Sequence, residues 1–210
     1  SRRQRQMCIR DSTTSLGITA QYFTLNKNWT VEPRAALKWT FNPKHALALA
    51  YGLHSRRERL DYYFVEQEVN GKTESNRYLN FSKAHHFGLT YDWNINSYMH
   101  LKVEPYYQYL FRIPVEENSS FSIINHQSFY LERILKNRGS GVNYGIDITL
   151  EQYMKNGFYY MITASLFKSR YKAGDHIWRN TRLDKNYLLN VLAGKEWMVG
   201  RNKQNVLSLN

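Results

Sequence analysis

Residues 141–153 read GVNYGIDITLEQY. Every second position gives Val142, Tyr144, Ile146, Ile148 and Leu150, and the positions between give Asn143, Gly145, Asp147, Thr149 and Glu151. An apolar face and a polar face at a period of two belong to a β-strand that separates two different surroundings. A soluble sandwich would set a core against bulk water. An outer-membrane barrel would set lipid against a wet lumen.

The same alternation recurs outward from this stretch. Segments 16–25, 30–41, 45–53, 84–93 and 98–111 carry it clearly; 158–168 and 186–194 carry it with more blur, and 205–209 begins one further strand. No window repeats apolar residues at i, i+3, i+4 and i+7, so the chain is expected to be all-β. Segments of nine to fourteen residues suit a tilted membrane strand better than a sandwich strand of five or six. No run of about 18 apolar residues exists to form a membrane helix.

The connections sharpen the choice. NPKH (42–45), NINS (94–97), KNG (155–157) and GRNKQ (200–204) are tight, whereas 54–83, 112–139 and 171–185 are long. Short and long alternate, except that the connection at 26–28 is short where a long one is due. Membrane barrels alternate in this way, with turns at the periplasmic end and loops at the outer end. Trp39, Phe41, Trp93, Tyr98, Tyr153, Phe158 and Trp197 lie within a few residues of the tight turns, as a headgroup-level girdle would. Pro33 and Pro105 fall inside strands and are expected near the outer rim, at strand starts or bulges.

The first dozen residues, SRRQRQMCIRDS, lack this pattern. Residues 7–12, MCIRDS, look like a translated sequencing-adapter end, so 1–12 are read as an assembly scar or disordered tail and 13–210 as one partial barrel domain. Setting aside Arg2, Arg3, Arg5, Arg10 and Asp11 lowers the formal charge from +12 to +9 and removes the single cysteine, Cys8. Disulfide frameworks and thiolate chemistry then drop out.

In order and wording, VEPRAALKW (31–39), YGLHSRRERLDYY (51–63), KVEPYYQYLFRIPVE (102–116), NRGSGVNYGIDITLEQY (137–153) and NYLLNVLAGKEWMVGRNKQNVLSLN (186–210) resemble the C-terminal barrel of TonB-dependent receptors. The resemblance is nearest to the subgroup with a carboxypeptidase-regulatory-like domain, and it covers nearly everything after residue 15. It implies an antiparallel transmembrane β-barrel in the outer membrane, of which this chain holds about nine of 22 strands. It also implies an N-terminal plug, coupling to TonB, a surface lipoprotein in some relatives, and import of a scarce nutrient: siderophore, haem, cobalamin, glycan or peptide. Plug, TonB-contacting box and terminal aromatic strand are not in this sequence. A porin or adhesin is the alternative, and presence or absence of an upstream plug discriminates. A basic nucleic-acid-binding β protein ranks third, because its aromatics should interleave with Lys and Arg on one face.

On the barrel reading Glu32, Arg34, Asp92, Lys102, Glu104, Asp147 and Glu151 line the lumen. Ligand capture belongs to the long loops, where Arg56, Arg57, Tyr62, Tyr63, Phe64, Phe129, Tyr130, Arg133, Trp178 and Arg179 supply aromatic and cationic anchors. No enzyme is expected, and no cofactor. Asp147 and Glu151 lie about 13 Å apart on one strand face, too far for a glycosidase pair. His85 and His86 are adjacent and point to opposite faces, which argues against a joint metal site. The glycines of GSGVNYG precede a strand and do not form a dinucleotide fingerprint.

Overall fold

The computed structural model describes residues 11–69, 71–200 and 205–209. Residues 1–10 of the expected scar and 201–204 of the last tight turn lie outside the described residues. Asp11 and Ser12 are already strand, opposite Thr40 and Trp39.

The alternating segments form β1 (Asp11–Phe23), β2 (Asn28–Asn42), β3 (His45–Arg56), β4 (Glu66–Val69), β5 (Lys72–Ser75), β6 (Ser82–Asn96), β7 (Met99–Val115), β8 (Lys136–Lys155), β9 (Phe158–Lys172), β10 (Trp178–Asn180), β11 (Tyr187–Val199) and β12 (Asn205–Leu209). Nine of them run as one antiparallel meander in the order β1-β2-β3-β6-β7-β8-β9-β11-β12. The short β10 pairs with the loop end of β9, and β4–β5 is a separate hairpin. All nine expected strands are present, and most extend further toward the loop end than their apolar alternation does. Strands β6, β7 and β8 reach 15, 17 and 20 residues, far longer than a sandwich uses.

Register carries the two-faced pattern from strand to strand. Opposite Ile148 stand Val103 on β7 and Ala164 on β9; opposite Asp147 stand Glu104 and Ser165. The apolar face therefore runs through Leu37, Leu49, Tyr91, Val103, Ile148, Ile162 and Val191, and the polar face through Arg34, Asp92, Lys102, Asp147 and Thr163. No second sheet covers the apolar face among the described residues. Leu189 is 61 % and Val191 65 % exposed.

The sheet is open. β1 pairs only with β2, and β12 only with β11, so the barrel closure expected from the sequence is not made by the described residues.

Turn chemistry explains the tight ends. Lys155 faces Phe158 across Asn156 and Gly157, both at positive φ (53° and 75°), the two-residue hairpin turn that matches strand twist. At the first turn, Asn42 Oδ1 accepts from the amides of Lys44 (2.8 Å) and His45 (3.0 Å).

The prolines are accommodated where ladders part. The β2–β3 ladder ends at Arg34↔Gly52, so Pro33 has no partner there to lose. Pro105 is not at the outer rim as expected but in the middle of β7. It pairs with Ile146 on β8, while the β6 ladder pairs Gly88 with Tyr106 and Tyr91 with Val103 and leaves a gap at Leu89 and Thr90. A missing N–H is tolerated inside a sheet only at such an irregularity.

Gly145 in the deciding stretch has a steric role. A Cβ there would lie 2.6 Å from the Leu166 carbonyl oxygen and 2.9 Å from the Tyr106 hydroxyl, so the Tyr106 ring covers the glycine of the neighbouring strand. Gly145→Val should displace that ring and lower the unfolding free energy by about 1–3 kcal/mol, measured as a shift in urea midpoint. An unchanged midpoint would show that the close approach is not needed.

Candidate functional site

The polar face is a hydrogen-bonded surface. Glu32, 2 % exposed, accepts from Gln21 Nε2 (2.7 Å), the Ser55 amide (3.0 Å) and Arg34 NH2 (3.1 Å). It occupies the place where β2 and β3 part beyond Pro33 and replaces the missing ladder contact. Asp92 meets His100 Nε2 at 3.2 Å. Lys102 pairs with Glu104 at 2.8 Å, and Glu104 also accepts from Thr90 Oγ1 at 3.2 Å. Asp147 lies on the wall of a groove described below, and Glu151 is half-buried opposite His100. All seven residues expected to share a face do so.

Three depressions join along this face. The largest, about 540 Å³, has a floor of Gly17, Ala36, Ala50, Gly52 and Gly88 and a rim of Arg34, His54, His86, Tyr106 and Gln108. Tyr106 and Gln108 also bound the next, about 410 Å³, with Asn143, Asp147, Phe167 and Ser169. Asn143 and Ser169 lead on to a third of about 260 Å³, closed over by Ile124, Asn125, His126, Gln127, Thr181 and Arg182. A relay of side chains follows the same path: Asn143 Nδ2 donates to Gln108 Oε1 (3.1 Å), Ser169 Oγ to Asn143 Oδ1 (2.7 Å) and Thr181 Oγ1 to Ser169 Oγ (2.8 Å). The result is a polar trail from the loop end onto the sheet. It offers amides and hydroxyls to a solute.

The charge-led search of the sequence missed most of this trail. The His54 and His86 rings lie tilted against each other with centroids 4.5 Å apart, a contact that comparing adjacent His85 and His86 does not reveal, because the partner sits on the next strand. Gln108, Asn143, Ser169 and Thr181 are uncharged. Except for Thr181, their signal was the polar phase of the alternation.

At the loop end the long connections fold on one another rather than standing free. Tyr62, Tyr63, Leu79, Ile113, Ile123, Leu131 and Leu135 form a common core. Asn76 clasps two loops, donating to the Arg133 carbonyl (2.8 Å) and accepting from the Leu135 amide (2.7 Å). Asn137 does the same, accepting from the Asn80 amide (2.8 Å) and donating to the Arg112 carbonyl (2.8 Å).

This core corrects part of the anchor set. Tyr62 and Tyr63 are 5 % and 1 % exposed; they pack the cap and are not free to meet a ligand. Burial pushes both phenols above their ordinary pKa, so they remain neutral. The Tyr63 hydroxyl accepts from the Glu58 amide at 3.3 Å. Trp178 is also displaced from its expected role: it pairs with Lys172 on the apolar side of the sheet, near Arg170 and Lys172. Arg133 is held by Glu116 (2.5 Å), and Arg179 grips Asp175 with both nitrogens (2.8 and 2.6 Å). Arg56 reaches Glu58 at 3.4 Å, and Arg57 lies over Phe23. Phe64, Phe129 and Tyr130 remain exposed, with Arg59 over the Phe129 ring at 4.8 Å.

Two outcomes follow from these contacts. Glu32→Ala leaves the Ser55 amide, Gln21 and Arg34 without their acceptor and should cost about 2–4 kcal/mol. Glu32→Gln keeps one acceptor and should cost less; equal urea midpoints for both variants would contradict this. Asp175 is held below the usual carboxylate range, first by its hydrogen bonds from Arg179. A depressed carboxylate contributes stability above its unfolded pKa and loses it as pH falls through the folded value. The 171–185 loop should therefore exchange amide hydrogens faster only below about pH 4, and Arg179→Ala should abolish that acid step.

Compared with models of known protein families the chain matches none, and no curated protein matches it.

Proposed function

We propose that this sheet is part of the wall of an outer-membrane β-barrel of the TonB-dependent receptor type, which binds and imports a scarce nutrient. One observation carries the reading. A single-layer sheet leaves its whole apolar face uncovered, and aromatic rings flank the aliphatic band at both ends. Toward the turns stand Trp39, Phe41, His45, Tyr91 and Trp93 in ring contact. Toward the loops stand Tyr51, His85, Phe87, Tyr107 and Phe111. In water such a face would far exceed the few hundred Å² of apolar patch that a soluble monomer tolerates. Hydrocarbon removes the conflict.

Dimensions support the same reading. From Trp93 to His85 along β6 the rise is about 26 Å, or about 20 Å of height at barrel tilt, close to the apolar band of such barrels. The free edges of β1 and β12 then require further strands, because an open edge in lipid leaves backbone groups unsatisfied. The resemblance assigns those strands, a plug and the TonB contact to other parts of the receptor. On this reading the polar trail faces the lumen and the loop cap meets the nutrient. The seven polar-face residues pair with one another and with the plug, and a surface lipoprotein lid would contact the cap.

The test uses the protein expressed in its uninterrupted reading frame. It should enter phosphatidylcholine vesicles with heat-modifiable mobility and protected strands, and nutrient uptake by cells should stop when the inner membrane is de-energised. Recovery as a folded aqueous protein would overturn the membrane reading. Passive swelling of loaded vesicles would overturn the receptor reading in favour of a porin.

A further inference from the structure

Basic residues on the apolar face are out of keeping with its chemistry, and β9 carries three in succession. Lys168, Arg170 and Lys172 stand opposite Tyr144, Val142 and Ser140 of β8, in the same phase as Leu166, Ala164 and Ile162. They begin where the aliphatic band ends. Beneath Lys168 lies a groove of about 740 Å³ lined by Tyr107, Tyr144, Ile146, Leu166 and Asn186. Trp178 of β10 flanks the upper two, its ring 5.8 Å from the Arg170 guanidinium and 5.7 Å from the Lys172 ammonium.

Their charges are incompletely answered. Among the described residues neither Arg170 nor Lys172 has an ion pair, whereas Lys136 and Arg138 share Glu117, and Arg179 has Asp175. Among the described residues the carboxylate paired with the strip is Asp184, 3.8 Å from Lys168 Nζ. Its Oδ1 accepts from the Ser169 amide at 3.1 Å, and its buried Oδ2 has no hydrogen-bond partner. Lys168 also donates to Asn186 Oδ1. Three cations against one anion leave a net positive strip.

We infer that this strip and groove form a binding site for a phosphorylated lipid. Its phosphate monoester is seated on Arg170 and Lys172 with Lys168, and its acyl chains run down along Tyr144, Ile146 and Leu166. The inference rests on the membrane reading, since a ligand reaching these cations from the apolar side must itself carry hydrocarbon. Charge complementarity selects the headgroup: a zwitterionic or neutral one leaves the excess positive charge unmatched. Trp178 sits at the level where an amphipathic ring favours the interface.

The experiment titrates phosphatidic acid into the folded protein, expressed in its uninterrupted reading frame and held in neutral detergent, with intrinsic fluorescence as readout. The triple variant Lys168→Gln, Arg170→Gln, Lys172→Gln should bind at least about tenfold more weakly. The charge-keeping triple Lys168→Arg, Arg170→Lys, Lys172→Arg should bind like the parent. A control triple that removes as much charge elsewhere, Lys27→Gln, Lys44→Gln, Lys72→Gln, should also leave binding unchanged. Equal weakening by the control triple would overturn the site, as would binding of diacylglycerol as tight as that of phosphatidic acid. Inorganic phosphate competing as well as the lipid would show an anion site without lipid and overturn the assignment. If the parent protein fails to enter phosphatidylcholine vesicles, the membrane reading falls and the lipid site falls with it; insertion without lipid preference removes the lipid site alone.

Discussion

A sheet one layer thick must find a different solvent for each of its faces. Backbone hydrogen bonds run strand to strand in its plane, so the faces are left to side chains alone. Here the register holds Leu37, Leu49, Tyr91, Val103, Ile148, Ile162 and Val191 in one phase from strand to strand. A slip of one residue anywhere would put a row of leucines among the carboxylates. The long ladders, the tight Asn-containing turns and the placement of Pro33 and Pro105 at ladder gaps all preserve that phase.

The polar face meets the opposite demand. Several of its charges are held as local pairs, Glu32 with Arg34, Asp92 with His100 and Lys102 with Glu104. The trail between them is built from neutral amides and hydroxyls above small residues. Glycines and alanines on β1, β2, β3 and β6 keep its floor low, and Tyr106, lying over Gly145, forms the ridge between two of its depressions. A solute moving over such a surface exchanges hydrogen bonds with many equivalent partners and meets few strong charges.

Among the described residues the loop cap is where the chain builds a conventional core. Aromatic and aliphatic residues that appear surface-bound in the linear sequence collapse together, and the Asn76 and Asn137 side chains satisfy backbone groups that irregular segments leave open. A cap packed in this way presents a shaped rim with only a few exposed rings, Phe129 and Tyr130 chief among them.

The alternation in GVNYGIDITLEQY and its counterparts was enough to determine the strands, their two faces and their order, because period two is a local property of backbone geometry. The tight turns were legible for the same reason, through Asn156, Gly157 and Asn42. Tyr62 and Tyr63 could not be placed from the sequence: a loop aromatic is anchor or core according to what folds over it, and their partners lie in another loop. Pro105 was misplaced because its tolerance depends on a gap in the neighbouring strand's ladder. The pairing of His54 with His86, the side on which Trp178 falls and the unmatched charge of Arg170 and Lys172 were likewise decided only in three dimensions, since each depends on which strand lies next to which.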